Sequence, residues 1–447
     1  MPDSSELPRS LSLLDSIAIV VGVIIGGGIF VVPNLVARSL PTTSWILIAW
    51  TVAGVISFFG ALACAELGAA LPATGGQYVF IREAFGRFPA FLCGWSTFLV
   101  ARTAQVAWLA VTLTLYLSYF APIHGFMAKL LAVAVICLFA FINYIGANAG
   151  AIVQKTFMFA KVLGLLLIIV SAFVSAPHPV QPVTSAQPAS LSLFGVAMIA
   201  CLLSYDGWVM VSFVAGEIRR PQRNILLALA IGTGMCIGIY LLTNLAYMRV
   251  LSIPEIAASD HVGATAAERS LGPAGGTLVS IIIMLSIIGT LNGCFLTSPR
   301  VYFAQARDGL FFRKFGKIHP KFNTPAFAIV AQAVWSAALV LTGSYDTLAD
   351  YAMFATWLFY GVMVAGVIAL RRSRPDLQRP YKMWGYPFTA LLFLAVTLWF
   401  LLNTMITRPV PAFAALGLIA TGIPVYFIWR KATPDPVALA TSTRERQ

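Results

Sequence analysis

The chain has 447 residues, 59% of them hydrophobic and only 10% charged, with a mean hydropathy of +0.87. A soluble globular domain is excluded, since roughly a quarter of its residues would be charged. A formal net charge of +13 would suggest nucleic acid as a partner of a soluble protein; in so apolar a chain the placement of the charges decides, and it points to a membrane.

A bilayer span takes roughly 20 apolar residues. Twelve stretches qualify, near 14–38, 44–71, 88–120, 127–144, 154–176, 192–216, 225–250, 275–303, 325–342, 348–370, 386–405 and 410–430. The first is too long for a cleavable leader, lacks a strongly basic start, and is followed by many more spans. Most of the 29 Lys and Arg fall in alternate loops, beginning with the N-terminal one. That bias places both termini in the cytoplasm of a multi-pass protein of the cytoplasmic membrane.

Residues 1–13 read as a short polar, mobile tail. Asp15 then opens the first span at a position suited to a helix N-terminus. In the middle of that span stand Gly26, Gly27 and Gly28. Each glycine costs about 1 kcal/mol against Ala in a helix interior, so the helix is weak there. A break at membrane depth must face protein or a water-filled cavity. Its freed N–H groups can hold an anion and its freed carbonyls a cation, and a zwitterion needs both. The glycines alone are equally compatible with close helix packing.

The second span ends at Glu66, and Pro72, Gly75 and Gly76 mark a turn. Span three exceeds one bilayer thickness and should tilt. It carries Arg102, which can contact a cavity, pair with Asp206 or Glu66, or serve structure. Lys161 lies deep in span five; it either snorkels to the surface or is buried as a functional cation. The segment 177–191 is rich in Pro, Ser and Ala, lacks Lys and Arg, and reads as an external connector. Span six contains Leu203, Ser204, Tyr205, Asp206, Gly207 and Trp208. A mid-span carboxylate is a functional candidate by default, and Asp206 can also cap a half-helix beginning after Gly207. The segment 251–274 suits short surface helices, 306–325 is a basic, aromatic inner loop, and the tail after Lys431 reads as polar and disordered. Six cysteines and four histidines show no metal-ligand spacing; the cysteines read as small buried hydrophobes.

Interruptions at corresponding places in two halves are the best sequence pointer to a transporter's binding site. Spans one and six each open a five-span group, which favours the functional reading of Gly26–Gly28. Together these residues resemble the amino acid–polyamine–organocation superfamily, and within it a prokaryotic L-type amino acid transporter. The resemblance covers almost the whole chain. It rests on Gly26-Gly27-Gly28-Ile29-Phe30 with Pro33, Pro72 to Tyr78, Tyr205 to Trp208, Glu217 with Pro221, Arg223 and Asn224, Asn292-Gly293, and Arg307 to Leu310 with His319-Pro320.

The resemblance implies an all-α integral membrane fold of twelve helices: a tail (1–13), an inverted repeat of five helices (14–176) and five (192–370) joined by the connector 177–191, helices 11 and 12 with the loop before them (371–431), and a cytoplasmic tail (432–447). It implies a substrate carboxylate on the amides of Gly27, Gly28 and Ile29, and an ammonium on carbonyls of Ile24, Leu203 and Asp206, with Gly26, Tyr205, Gly207 and Trp208 completing the site. Relatives often have Ser at Gly27 and an aromatic gate at Leu203. Lys161 would stand in for sodium, held by carbonyls near Gly22–Ile25 and the Ser286 hydroxyl, with Tyr240 completing the network. Arg102 and Asn292 are candidates for the cavity wall. The family's eukaryotic carriers bind a glycoprotein through a cysteine between spans three and four; Phe120 to Gly125 contains none, so no disulfide-linked heavy subunit is expected.

The function expected is alternating-access transport of amino acids, with sodium-independent exchange of small or medium neutral ones first. Proton-coupled uptake, or carriage of cationic amino acids or polyamines, stands second. An intramembrane enzyme would need a nucleophile–base pair or metal cluster, and the spans hold no His and no paired carboxylates. A channel would need a continuous pore rather than two broken helices. No cofactor and no nucleic acid is expected; the partners are an amino acid substrate and membrane lipids.

Overall fold

The structure, a computed structural model, describes residues 7–118, 120–175, 191–342 and 345–432. Its elements in chain order are α1 (Leu13–Ile24), α2 (Gly28–Ser39), α3 (Thr43–Ala70), α4 (Gln77–Phe85), α5 (Arg87–Ser96), α6 (Arg102–Leu117), α7 (Gly125–Tyr144), α8 (Ala147–Val174), α9 (Leu191–Ser204), α10 (Met210–Phe213) and α11 (Pro221–Val250). They continue as α12 (Ile253–Ala258), α13 (Val262–Leu271), α14 (Ala274–Thr297), α15 (Pro299–Arg307), α16 (Ala326–Thr342), α17 (Tyr345–Ser373), α18 (Phe388–Thr407), α19 (Pro409–Ala420) and α20 (Gly422–Ala432). Among the described residues nine helical stretches are long and apolar enough to cross a bilayer, and the pair α1 and α2, bent by 41°, makes a tenth. Residues 193–204 and 326–342 form shorter apolar helices. The expected connector, all but Leu191, and the tail from residue 433 lie outside the described residues.

Position in the bundle follows from residue pattern. In α1, Ala18 to Ile24 are buried all round, as an apolar helix without a polar face must be. In α8 the buried positions include Gln154, Met158, Lys161, Leu165, Ile168 and Ala172. Phe159, Leu163, Leu167 and Val170 are exposed on the other side. Steps of three and four give one helix two faces, one inward and one for lipid. Small residues let the inner helices close up. A Cβ on Gly22 would meet Gln154 Nε2 at 2.3 Å, and one on Gly293 would meet Val23 Cγ2 at 2.6 Å. Thus α1, α8 and α14 meet nearly backbone to backbone.

The N-terminal segment is less free than its polarity suggests. Leu7 and Leu11 are buried. Leu11 donates its N–H to Glu217 at 2.9 Å and accepts from Arg219 at 2.8 Å; burial of two leucines anchors the described part, from residue 7 on, of what the sequence presents as a mobile tail, and residues 1–6 lie outside the described residues. A Ser12–Asp15 capping box then starts α1. Five cysteines are buried and unpaired, as expected, but Cys137 is exposed on α7, because its helix presents that face outward. On the opposite loops α12 begins with a second capping box, Ser252–Glu255. The backbone and side-chain hydrogen bonds from Ser252, with Arg269 nearby, hold the Glu255 carboxyl down at about 2.

At the end that carries most Lys and Arg, charged side chains tie the elements together. Arg300 of α15 grips Glu217 with two bonds, 2.7 and 3.0 Å, both residues almost wholly buried. Asp308 receives Tyr78 at 2.7 Å and also pairs with Arg82. Glu66 accepts from Arg371 at 2.9 and 2.6 Å and from the Met383 amide at 2.6 Å.

A buried carboxylate stripped of its partner destabilises by about 3–5 kcal/mol. Arg300→Ala should therefore lower the melting temperature of the purified protein in detergent, and Arg300→Ala with Glu217→Ala should recover part of the loss. Equal melting of the single variant and the parent would show that Glu217 is not a buried charge.

Candidate functional site

The glycine run is where α1 stops and α2 starts. The Gly26 amide folds back onto the Ile24 carbonyl at 2.8 Å, and the Phe30 amide onto Gly27 at 3.2 Å. Gly27, Gly28 and Ile29 stand at the first turn of α2, where a helix has no internal acceptor for its N–H groups. Those amides carry the positive end of the α2 dipole.

The other side of the break, the carbonyl end of α1, is occupied. Lys161 is fully buried. Its ammonium donates to the carbonyls of Gly22 at 2.8 Å, Ile25 at 2.6 Å and Ser286 at 2.9 Å, which uses all three of its protons. The Ser286 hydroxyl does not accept from Lys161, contrary to the expectation from sequence. Being a donor as well, it turns instead to the carbonyls of Ile25 at 2.9 Å and Gly26 at 3.1 Å. Thr290 donates to Gly22 at 3.2 Å. Tyr240 bonds the carbonyls of Ile24 at 2.8 Å and Ser204 at 3.1 Å, one from each broken span. Gly289 makes room: a Cβ there would stand 3.1 Å from the Lys161 ammonium.

The second break comes after α9. Gly207 has φ +116°, a conformation open to glycine, and a Cβ there would meet Val23 of α1 at 2.4 Å. A Cβ on Gly28 would meet Ser204 Oγ at 2.9 Å and Ser204 Cα at 3.3 Å, whereas one on Gly27 would meet nothing within 4 Å. The two breaks therefore pack on each other through glycine. Asp206 does not cap the half-helix beyond Gly207: α10 starts after Val209 with no side-chain cap. Its carboxylate is engaged elsewhere, accepting from Tyr360 at 2.6 Å and facing Arg102 Nη1 at 3.6 Å.

Between the breaks lies a cavity of about 250 Å³. Gly26, Gly27, Gly28, Ile24, Leu203, Ser204 and Asp206 form one side of it, and Val31 and Val32 continue up α2. Gln105, Leu109, Thr112 and Tyr116 supply the α6 wall at steps of three and four, joined by Trp108, Thr290 and Met353. A volume near the low end for ligand pockets, with few polar atoms, suits a small molecule.

Other expected residues stand outside this cavity. Tyr205 packs between Trp50 and Tyr240, with ring centroids at 5.9 and 4.9 Å. Trp208 lies on Tyr360 at 4.6 Å. The Ile29 side chain is buried, so only its amide bears on the break. Asn292 is an internal strut rather than a wall residue: it accepts from Asn143 at 3.0 Å and donates to Gly150 at 3.0 Å and Gln154 at 2.9 Å. Arg102 pairs with Asp206 and not with Glu66, which Arg371 and Arg379 hold. Sequence reading missed Gln105, Trp108, Thr290, Met353 and Tyr360. Gln105 had a signal, standing three residues after Arg102 on the same helix face.

Comparison with known proteins gives one consistent answer. Residues 11–428 match the family model described as amino acid permease. The serine/threonine exchanger SteT of Bacillus subtilis is 31% identical over 436 residues, covering 96% of this chain and 98% of that protein. Human b(0,+)-type amino acid transporter 1 is 31% identical over 457 residues, 98% of this chain and 93% of its own length. The mouse large neutral amino acids transporter small subunit 2 is 33% identical over 436 residues, 94% of this chain and 81% of its own.

The spacing around the break predicts opposite outcomes for neighbouring glycines. Gly28→Leu must push into the α9 backbone and should lower ligand affinity of the folded protein by at least about tenfold, in line with the cost of overpacking. Gly27→Ser has open space and should keep affinity within about threefold. Binding measured on both purified variants checks this; equal behaviour of the two would count against the site.

Proposed function

The chain belongs to the amino acid permease family, a family of membrane transporters and not of enzymes, and we propose that it exchanges small or medium neutral amino acids by alternating access without sodium. One observation carries the reading: a fixed cation fills the carbonyl end of the first break, while the amide end faces a small cavity. A substrate carboxylate then rests on the amides of Gly27, Gly28 and Ile29, where N–H groups and helix dipole act together. The substrate ammonium meets carbonyls of Leu203 and Asp206, which can accept a second bond where one is already made; the Ile24 carbonyl, named with them from sequence, already accepts from the Gly26 amide and the Tyr240 hydroxyl.

Lys161 takes the role a bound sodium ion would have. It ties α1 to α8 and α14, so movement of α1 is a movement of all three. The cavity wall climbs α6 toward Tyr116 and α2 toward Val32, away from the basic end. With that end cytoplasmic, as the Lys and Arg bias suggests, the cavity reaches outward and the Glu217–Arg300 and Asp308 clusters close the cytoplasmic side. Exchange results if the carrier reorients only when loaded.

The proposed architecture is twelve spans, with 193–204, continued across its break by α10, and 326–342 as the two short ones. Residues 14–176 and 192–370 form inverted repeats, each opened by a broken helix. Both termini lie in the cytoplasm of a cell whose cytoplasmic membrane holds the carrier. No disulfide-linked subunit is required, since the loop from Phe120 to Gly125 has no cysteine.

Purified protein in liposomes provides the test, with each amino acid offered outside and with the lumen empty or loaded. Uptake of neutral amino acids should depend on an internal substrate and be equal in sodium and potassium buffers. Uptake that needs sodium, or that a pH gradient drives into empty vesicles, would overturn the exchange reading.

A further inference from the structure

Asp206 presents a problem for a neutral substrate. A mid-membrane carboxylate lining the cavity should attract a cationic side chain. Its surroundings remove that attraction. One carboxylate oxygen accepts the Tyr360 hydroxyl at 2.6 Å and the other faces Arg102 Nη1 at 3.6 Å. Both residues are buried, and Asp206 is among the residues that line the cavity while Arg102 is not, so the guanidinium pairs with Asp206 from outside the cavity wall.

The placement of Arg102 is built. The preceding five residues, Thr97–Ala101, form a π-helical turn. Such turns insert a residue into a helix and rotate the side chains beyond it, and they concentrate at functional sites. Arg102 is then fixed by Gln105 Oε1 at 2.8 Å and by Tyr360 at 3.4 Å. A guanidinium only donates, so Gln105 must turn its oxygen to Arg102. Gln105 itself lines the cavity, and the end left over is its NH₂, another donor. A lysine or arginine side chain entering here would lose its water and meet a balanced ion pair and a donor, with no acceptor charge to compensate.

We propose that Arg102 is a specificity-determining residue: by neutralising Asp206 it makes the carrier reject cationic amino acids. The inference rests on the amino acid transport reading and deepens it. Removing the guanidinium without removing the carboxylate should convert the pocket into one that accepts cations.

The experiment compares uptake of radiolabelled L-arginine and of L-serine, L-alanine and L-leucine into loaded proteoliposomes. The parent should take up neutral amino acids but no arginine above empty liposomes, and excess arginine should not inhibit it. Arg102→Gln should raise arginine uptake by at least about tenfold, because it leaves a buried charge without its partner. Arg102→Gln with Asp206→Asn should abolish that gain. Arginine uptake by the parent comparable to its neutral uptake overturns the inference while leaving the transport reading intact, and needs no variant to fold. A gain that persists in the double variant, or a folded Arg102→Gln protein that moves neutral amino acids but no arginine, also overturns it. A parent that moves no amino acid sinks both readings.

Discussion

A single ammonium among three backbone carbonyls is the constraint on which this structure depends. Breaking a helix inside a membrane exposes a positive end and a negative end, and an unpaired backbone group in hydrocarbon costs several kcal/mol. Lys161 takes the negative end. With Ser286, Thr290 and Tyr240 it accounts for the carbonyls of Gly22, Ile24, Ile25 and Gly26. The desolvation of the cation is offset by full use of its three protons. Among the described residues no side chain takes the amide end in the same way, and it is the end that faces the cavity. The asymmetry gives the site its polarity.

The same contacts explain why the break can be held and still take part in a moving machine. Lys161 stands on α8, Ser286 and Thr290 on α14, and Tyr240 on α11, so three helices grip the end of α1 through hydrogen bonds. Glycine then brings the second break against the first: Gly207 lies on Val23, and Gly28 on Ser204. Interfaces made of backbone and small residues have no interdigitated side chains to unlock, which suits helices that must shift against one another. Charge pairs such as Glu217–Arg300 tie the elements together at the end rich in Lys and Arg.

Much of this arrangement is legible in the chain because the rare residues are the informative ones. Glycines in a row, an aspartate in mid-span and a lysine in mid-span each violate the composition of a membrane helix, and each stands at or next to the site. Their partners are a different matter. Nothing local says that Asp206 will meet Arg102 and Tyr360 rather than cap α10, because those groups come from α6 and α17, far away in the chain. Tyr205 and Trp208 share a motif with Asp206, yet they point into aromatic packing against Trp50, Tyr240 and Tyr360. A motif fixes neighbours along the chain, whereas a helical break turns those neighbours in different directions. The π-helical turn before Arg102 is likewise silent in the sequence, since it contains only ordinary helix-compatible residues.

The role of the buried ammonium is measured by substrate binding in Lys161→Met, a variant that keeps length and removes the charge. The variant should be a monodisperse, helical protein with affinity for its neutral amino acid lowered at least about tenfold, because carbonyls that lose charge-assisted hydrogen bonds worth ~1.5–3 kcal/mol each no longer hold the α1 end in place. Unchanged affinity and unchanged exchange in that variant would contradict that role, and would mean that the glycine break holds its shape without the cation.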